Sequence, residues 1–139
     1  MAKLEMTEHD IQVHIFDTLR LNEMRDPRLK WIYAVPNGNY RSWKIGANLK
    51  AEGVTRGVSD ICLPFPGRVA GNHYYVGAYI EMKAGDNKLT PEQEEFLQFV
   101  SIHGYATGRF WHFDPALDFI EEYCGIRLRG RERLPRRKI

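Results

Sequence analysis

Three charged side chains lie where the surrounding sequence predicts buried β-strands. Asp60 interrupts the short apolar run of residues 59–63, and Glu81 and Lys83 lie near the end of a longer apolar run that starts near residue 73. Burying an unpaired carboxylate or ammonium group costs several kcal/mol, so such groups are expected to pair, to bind a metal ion or to do chemistry. Simpler interpretations also fit, because Asp60 could lie on an edge strand and Glu81 and Lys83 could form a surface ion pair.

The spacing of Glu81 and Lys83 predicts that they share one face of their strand. Side chains alternate between faces along a strand, and apolar side chains occupy the opposite parity between residues 75 and 83. Gly85 and Asp86 follow and predict a loop. The carboxylate and the ammonium group are therefore expected side by side at the end of this element.

Two carboxylates and a lysine in this arrangement have a defined chemistry. Convergent carboxylates such as Asp60 and Glu81 bind a hard divalent cation, Mg²⁺ or Mn²⁺, through oxygen and leave positions for water and a phosphate oxygen. The cation lowers the pKa of bound water, and a neighbouring lysine such as Lys83 can orient or deprotonate that water. The pattern therefore predicts hydrolysis of a phosphodiester bond.

A further acid lies in the first predicted helix. Thr7 is a plausible N-cap for a helix over residues 8–24, in which Ile11 and Ile15 lie on the same face as Glu8 and Gln12. Glu8 is therefore predicted to point inward. The alternative is that Glu8 is an acid favoured by the helix dipole at this end.

The remaining chain predicts alternating strands and helices around these residues. Strands are predicted at 31–35, 59–63, 73–83 and 105–113, and helices near 41–52, from Thr90 to Gly104 and from Asp114 to Gly125. Thr90, Pro91 and Gln93 form a capping-box pattern, and Asp114 is the predicted cap of the last helix. Such alternation predicts an α/β fold with a mixed sheet flanked by helices.

Composition predicts one domain of an ordinary globular protein. The chain has 139 residues, of which 43% are hydrophobic and 27% are charged. The isolated cysteines Cys62 and Cys124 argue against a disulfide scaffold and a cysteine-bound zinc. No apolar run suits a signal peptide or a membrane span, so we expect a cytoplasmic protein without a membrane partner. Three tryptophans lie in apolar runs and are expected in the core: Trp31, Trp43 and Trp111.

Charge is unevenly distributed along the chain. Residues 127–139 carry a balance of +6 and residues 1–126 a balance of −4, which together give the net +2. We therefore expect a body at 1–126 and a basic tail at 127–139 that either binds DNA phosphates or is a solvated terminus. The candidate DNA-binding residues are Arg127, Arg129, Arg131, Arg133, Arg136, Arg137 and Lys138.

Several motifs in order resemble the VRR-NUC (virus-type replication-repair nuclease) branch of the PD-(D/E)XK nucleases, over most of residues 7–124. The E-x-x-x-Q helix corresponds to residues 8–12, and Pro36-Asn37-Gly38 follows. The G-x-x-D strand corresponds to residues 57–60, E-x-K to residues 81–83 and L-(S/T)-x-x-Q to residues 89–93. Four such elements in the expected order and structural context are far more specific than E-x-K alone.

This resemblance implies a restriction-endonuclease-like fold and assigns roles to the motif residues. Asp60 and Glu81 look like metal-binding acids, Lys83 like the catalytic lysine and Glu8 like an additional acid of the metal site. Gln12 would support Glu8. Gln93 is either catalytic or only a helix cap.

The resemblance also implies a Mg²⁺- or Mn²⁺-dependent, structure-specific DNA endonuclease. Small stand-alone members resemble the type that cuts four-way (Holliday) junctions, and paired cuts favour a C₂ homodimer. The alternatives are a flap nuclease or exonuclease, a restriction-type enzyme with the same site, and a non-catalytic nucleic-acid-binding module.

Overall fold

A mixed four-stranded sheet forms the centre of the computed structural model, which describes residues 6–36 and 50–131. The six strands of this part of the chain are β1 (Tyr33–Ala34), β2 (Ile61–Leu63), β3 (Gly67–Arg68), β4 (Tyr74–Tyr75), β5 (Gly77–Met82) and β6 (Tyr105–Phe110). The main sheet has the order β1-β2-β5-β6, with β5 and β6 parallel and the other neighbours antiparallel. Strands β3 and β4 form a separate antiparallel pair.

Three α-helices that lie wholly within the described residues flank the sheet, and local sequence signals explain several of their ends. They are α1 (Glu8–Asn22), α2 (Pro91–Ile102) and α3 (Phe113–Cys124), and a 3₁₀-helix spans Pro27–Trp31. Thr7 and Thr90 are the N-caps of α1 and α2, as the sequence predicted, and the predicted capping box of Thr90 is confirmed. Thr7 also forms a complete capping box, with Asp10. Gly125 ends α3 in the left-handed conformation, with a φ of 69°.

One hydrophobic core lies between the sheet and the helices α1 and α3. Ile15, Ile80 and Leu117 are fully buried members from these three elements. The other face of β5 lies against α2, where the ring of Tyr79 contacts that of Phe96 edge to face at 4.9 Å. Both faces of β5 are therefore covered, and a charged side chain on this strand is largely removed from water.

The α/β fold with a mixed sheet is confirmed, but several predicted boundaries were wrong. The predicted strand 31–35 is only β1, because Pro27 starts a 3₁₀-helix that ends at Trp31. The Trp31 side chain is 64% exposed rather than in the core, whereas Trp111 is half-buried and donates a hydrogen bond to Asn87. Trp43 and most of the predicted helix 41–52 lie outside the described residues.

The end of the sheet also differs from the prediction. Strand β6 stops at Phe110 instead of residue 113, and α3 already begins at Phe113. Asp114 therefore lies in the first turn of α3 and is not its cap. The Asp114 carboxylate instead accepts a hydrogen bond from Arg131 at 3.0 Å.

Residues that follow α3 pack onto the body. Leu128 is 4% exposed and belongs to the core. Arg131 is almost buried and binds three acids of α3, which are Asp114, Asp118 and Glu121. Leu128 and Arg131 therefore contact the body, although both belong to the predicted tail at 127–139.

Candidate active site

Asp60 and Glu81 lie opposite each other at one end of the β2–β5 pair. Ile61 is the register partner of Ile80, so the antiparallel register places the preceding Asp60 across from Glu81. The Asp60 Oδ2 atom accepts a hydrogen bond from the main-chain N–H of Met82 at 2.8 Å, which fixes the carboxylate beside β5. Opposed residues of an antiparallel pair have Cβ atoms about 4.5–5.5 Å apart, so the two carboxyl groups share one small volume.

The Glu81 carboxyl group is buried without a hydrogen-bond donor. Its residue is 1% exposed, and neither carboxylate oxygen has a hydrogen-bond partner in the described part of the chain. Burial, followed by the neighbouring carboxyl group of Asp60, raises the pKa of Glu81 to about 10, although Lys83 opposes this shift. In the absence of a bound cation, Glu81 therefore keeps its proton at neutral pH.

Lys83 and Glu8 complete the charged group around this pair. Lys83 is 8% exposed, and its main-chain N–H donates to Phe110 at 2.9 Å, which holds the end of β5 against β6. Glu8 is half-buried at the start of α1, and burial raises its pKa while Lys83 lowers it and Asp60 raises it. Helix α1 and strand β5 thus bring Glu8 and Lys83 into electrostatic contact, although 75 positions separate them.

The chemistry of these donors fits a hard divalent cation. Glu81 offers two buried oxygens that no donor among residues 6–36 and 50–131 satisfies, and buried carboxylates are normally paired or bound to a cation. The ligand set predicted from the motifs, Glu8, Asp60 and Glu81, is composed of oxygen donors, as Mg²⁺ and Mn²⁺ prefer. Within residues 6–36 and 50–131, however, no three His, Cys, Asp or Glu side chains converge into a ready-made metal site.

The motif glutamines have different surroundings. The Gln93 Oε1 atom accepts a hydrogen bond from the Thr90 N–H at 2.8 Å, so this side chain acts as a helix cap. Gly57 packs tightly on the first turn of α2, since a Cβ atom there would lie 2.5 Å from the carbonyl oxygen of Glu92. Gln12 is half-buried one turn after Glu8. A catalytic role for Gln93 and a supporting role for Gln12 remain predictions.

The arginines of the predicted basic tail differ in their exposure and in their contacts with the body. Arg131 is held by carboxylates of α3, so its guanidinium group is already neutralised within the body. Arg127 and Arg129 are exposed, and their main-chain carbonyls accept hydrogen bonds from Arg25 and Asn22. The other basic residues of the tail lie outside the described residues: Arg133, Arg136, Arg137 and Lys138.

Sequence reasoning missed Arg109, which lies next to Glu81. The two residues are register partners in the parallel pair of β5 and β6. The Arg109 guanidinium group forms an ion pair with Glu94 of α2, with 2.8 Å between Nη2 and Oε2. The alternation within β6 identifies its two faces, but only the pairing with β5 places Arg109 beside Glu81.

Comparisons with known proteins concern the domain family and the fold of this chain. The family model of the VRR-NUC domain matches residues 6–108. A solved structure named "VRR_NUC domain protein" has a TM-score of 0.66 and 23% sequence identity, over 88% of this chain and 91% of that chain. The likeness to this structure supports the α/β fold. No curated protein matches the chain.

Proposed function

Because this chain belongs to the VRR-NUC domain family of PD-(D/E)XK-type nucleases, we propose that it is a Mg²⁺- or Mn²⁺-dependent DNA endonuclease. Its proposed substrate is branched DNA such as a four-way junction. The observation that carries the proposal is the opposed pair of carboxyl groups of Asp60 and Glu81 with Lys83 beside them.

The proposed chemistry uses residues of two strands and one helix. Asp60 and Glu81 would hold the cation, with Glu8 as an additional ligand from α1. Bound there, the cation would supply an acidified water and charge neutralisation at the scissile phosphate. Ionised Glu81 is costly in its buried position, so the site favours a cation over an empty state once the proton is lost.

Lys83 is the proposed catalytic base or positioning group for water. Its ammonium group is held near Glu8 and Glu81, where it reduces the mutual repulsion of the acids. A positioned lysine can orient the attacking water or accept its proton, and it can stabilise negative charge that develops on the phosphate.

The preference for branched DNA rests on symmetry and charge. Resolution of a four-way junction requires two cuts related by a near two-fold axis, and this chain has one candidate site. A C₂ homodimer is the simplest assembly with two opposed sites. The positive charge of residues 127–139 suits a duplex arm, through exposed Arg127 and Arg129 and the basic residues beyond them.

The decisive experiment is cleavage of labelled four-way junction, flap, single-stranded and linear duplex DNA with Mg²⁺, Mn²⁺ or a chelator. Wild type should cut the junction symmetrically with either metal and not with chelator, and Asp60→Ala should be inactive but folded. Asp17→Ala, which changes an exposed acid of α1, is the matched control and should keep full activity.

Each alternative function has its own outcome. Cleavage from an end or at flaps would support the exonuclease or flap nuclease, and cleavage at one duplex sequence would support the restriction-type enzyme. DNA binding without any cleavage would support the non-catalytic module. A light-scattering mass close to 16.2 kDa in solution would contradict the homodimer.

A further inference from the structure

Arg109 brings a cation to the same sheet face as the candidate active site. Register partners in neighbouring strands lie about 4.8 Å apart, and their side chains leave the same face of the sheet. Arg109 is the register partner of Glu81. Tyr79 lies on this face and contacts Phe96 of α2, and the Arg109 side chain also reaches α2.

The ion pair of Arg109 with Glu94 is exposed. The Arg109 side chain is 42% exposed and the Glu94 side chain 53%. Such exposed pairs contribute about 0–1 kcal/mol to stability, so the fold does not depend on this one. A guanidinium group has five N–H donors, and within the described chain only Nη2 of Arg109 has a side-chain partner.

The acids of the site repel a negatively charged substrate, and a nearby cation would offset this repulsion. The carboxylates of Glu8 and Asp60 would repel a polyanionic backbone, and Lys83, the neighbouring cation within the described chain, is nearly buried. Arg109 lies at the rim of this group with donors free for a phosphate oxygen. A guanidinium group can bind a phosphate with two parallel hydrogen bonds, whereas Glu94 accepts a hydrogen bond only from Nη2 of Arg109.

We propose that Arg109 binds a phosphate of the nucleic-acid backbone next to the active site, and that Glu94 occupies its guanidinium group until the substrate displaces it. This inference rests on the proposed function, because it assumes a nucleic-acid substrate at Glu81.

The two partners of the ion pair should have opposite effects on DNA binding. Removal of Arg109 deletes the phosphate contact, whereas removal of Glu94 deletes its competitor. If the ion pair served only to hold α2 against β6, both substitutions would remove the same contact and act in the same direction. The sign of the Glu94 effect therefore separates substrate binding from a structural role.

The test measures binding of a labelled four-way junction in chelator over a range of salt concentrations. Arg109→Ala should weaken binding about 10-fold or more, and the slope of log K against log salt should fall by about 0.9. Arg109→Lys should keep the slope but recover only part of the affinity. Glu94→Ala should strengthen binding up to about 5-fold in the wild type and have no effect in the Arg109→Ala background.

The exposed pair Arg20–Asp17 on α1 is the matched control, and Arg20→Ala and Asp17→Ala should leave both affinity and slope unchanged. Weaker binding by both Arg109→Ala and Glu94→Ala, or an unchanged slope for Arg109→Ala, would overturn the inference.

These binding measurements do not depend on cleavage of the DNA. A wild type that binds DNA but never cuts it would refute the proposed function, whereas normal cleavage with normal binding by Arg109→Ala would refute this inference alone.

Discussion

The side chain of Asn22 donates one hydrogen bond to the main chain of Arg129 and accepts another from it. Its Nδ2 atom donates to the Arg129 carbonyl oxygen at 2.9 Å, and its Oδ1 atom accepts the Arg129 N–H at 2.8 Å. Asn22 is fully buried at the end of α1, so one side chain satisfies two main-chain groups of a segment 107 positions away. This contact and the Arg131 cluster tie the chain after α3 to the body.

Replacement of Asn22 by Ala should destabilise the body. The change removes both hydrogen bonds to Arg129, with an expected loss of about 1–3 kcal/mol in the free energy of unfolding. Urea denaturation monitored by circular dichroism measures this loss. Arg20→Ala, at an exposed position of the same helix, is the control and should change stability by less than about 0.5 kcal/mol.

Two truncations locate the end of the folded body. A chain that ends at residue 126 loses buried Leu128 and the Arg131 ion pairs and should unfold at a clearly lower temperature. A chain that ends at Arg131 should melt like the full protein. Equal melting temperatures for the two truncations would support the predicted domain boundary at residue 126.

The stability of the metal-free protein should fall as pH rises. The folded-state pKa of Glu81 is raised from 4.5 to about 10, so the folded protein retains a proton that the unfolded chain releases near pH 4.5. The stabilisation is complete below about pH 4.5 and is lost progressively as pH approaches about 10. Glu81→Gln removes this titration and should be more stable than wild type in chelator at pH 7, by up to about 3 kcal/mol.

Thermal melts between pH 5 and about pH 9 in chelator measure the difference between Glu81→Gln and wild type. Glu95→Gln, at an exposed position of α2, is the control and should follow the wild-type curve. Parallel curves for Glu81→Gln and wild type would show that the Glu81 carboxyl group is not protonated in the folded state.

Substitution of Lys83 should slow cleavage without abolishing metal or DNA binding. Lys83→Ala is expected to reduce the single-turnover rate about 10²–10⁴-fold, which is typical for loss of a general acid–base or positioning group. Lys83→Arg keeps the charge but cannot lose its proton, so recovery by this variant would indicate electrostatic stabilisation instead of proton transfer. Lys30→Ala, an exposed lysine near Trp31, is the control. Weaker DNA affinity with an unchanged rate would make Lys83 a phosphate-binding residue.

Removal of residues 132–139 should weaken binding to all DNA forms to a similar extent. This segment contains Arg133, Arg136, Arg137 and Lys138, and each lost phosphate contact lowers the salt-dependence slope by about 0.9. Arg131→Ala should act mainly on stability, because Arg131 is bound to α3. A loss of preference for branched DNA at an unchanged slope would contradict a phosphate-binding role for the segment.

Local signals in the sequence determined the starts of α1 and α2 and the types of the site residues. Thr7 and Thr90 cap their helices through neighbours only three positions away, so no distant part of the chain is needed to predict them. Asp60, Glu81 and Lys83 were likewise conspicuous as charged residues in apolar strands.

Only the tertiary structure decided which of these residues meet. Strand register sets Asp60 across from Glu81 and Arg109 beside Glu81, and register depends on pairing between segments 20–30 positions apart. The docking of Arg129 on Asn22 depends on contacts over more than 100 positions. Such pairings depend on the packing of the whole core, which short-range sequence patterns do not encode. The sequence therefore indicated which residue types could do the chemistry, and the tertiary structure decided which of these residues lie next to one another.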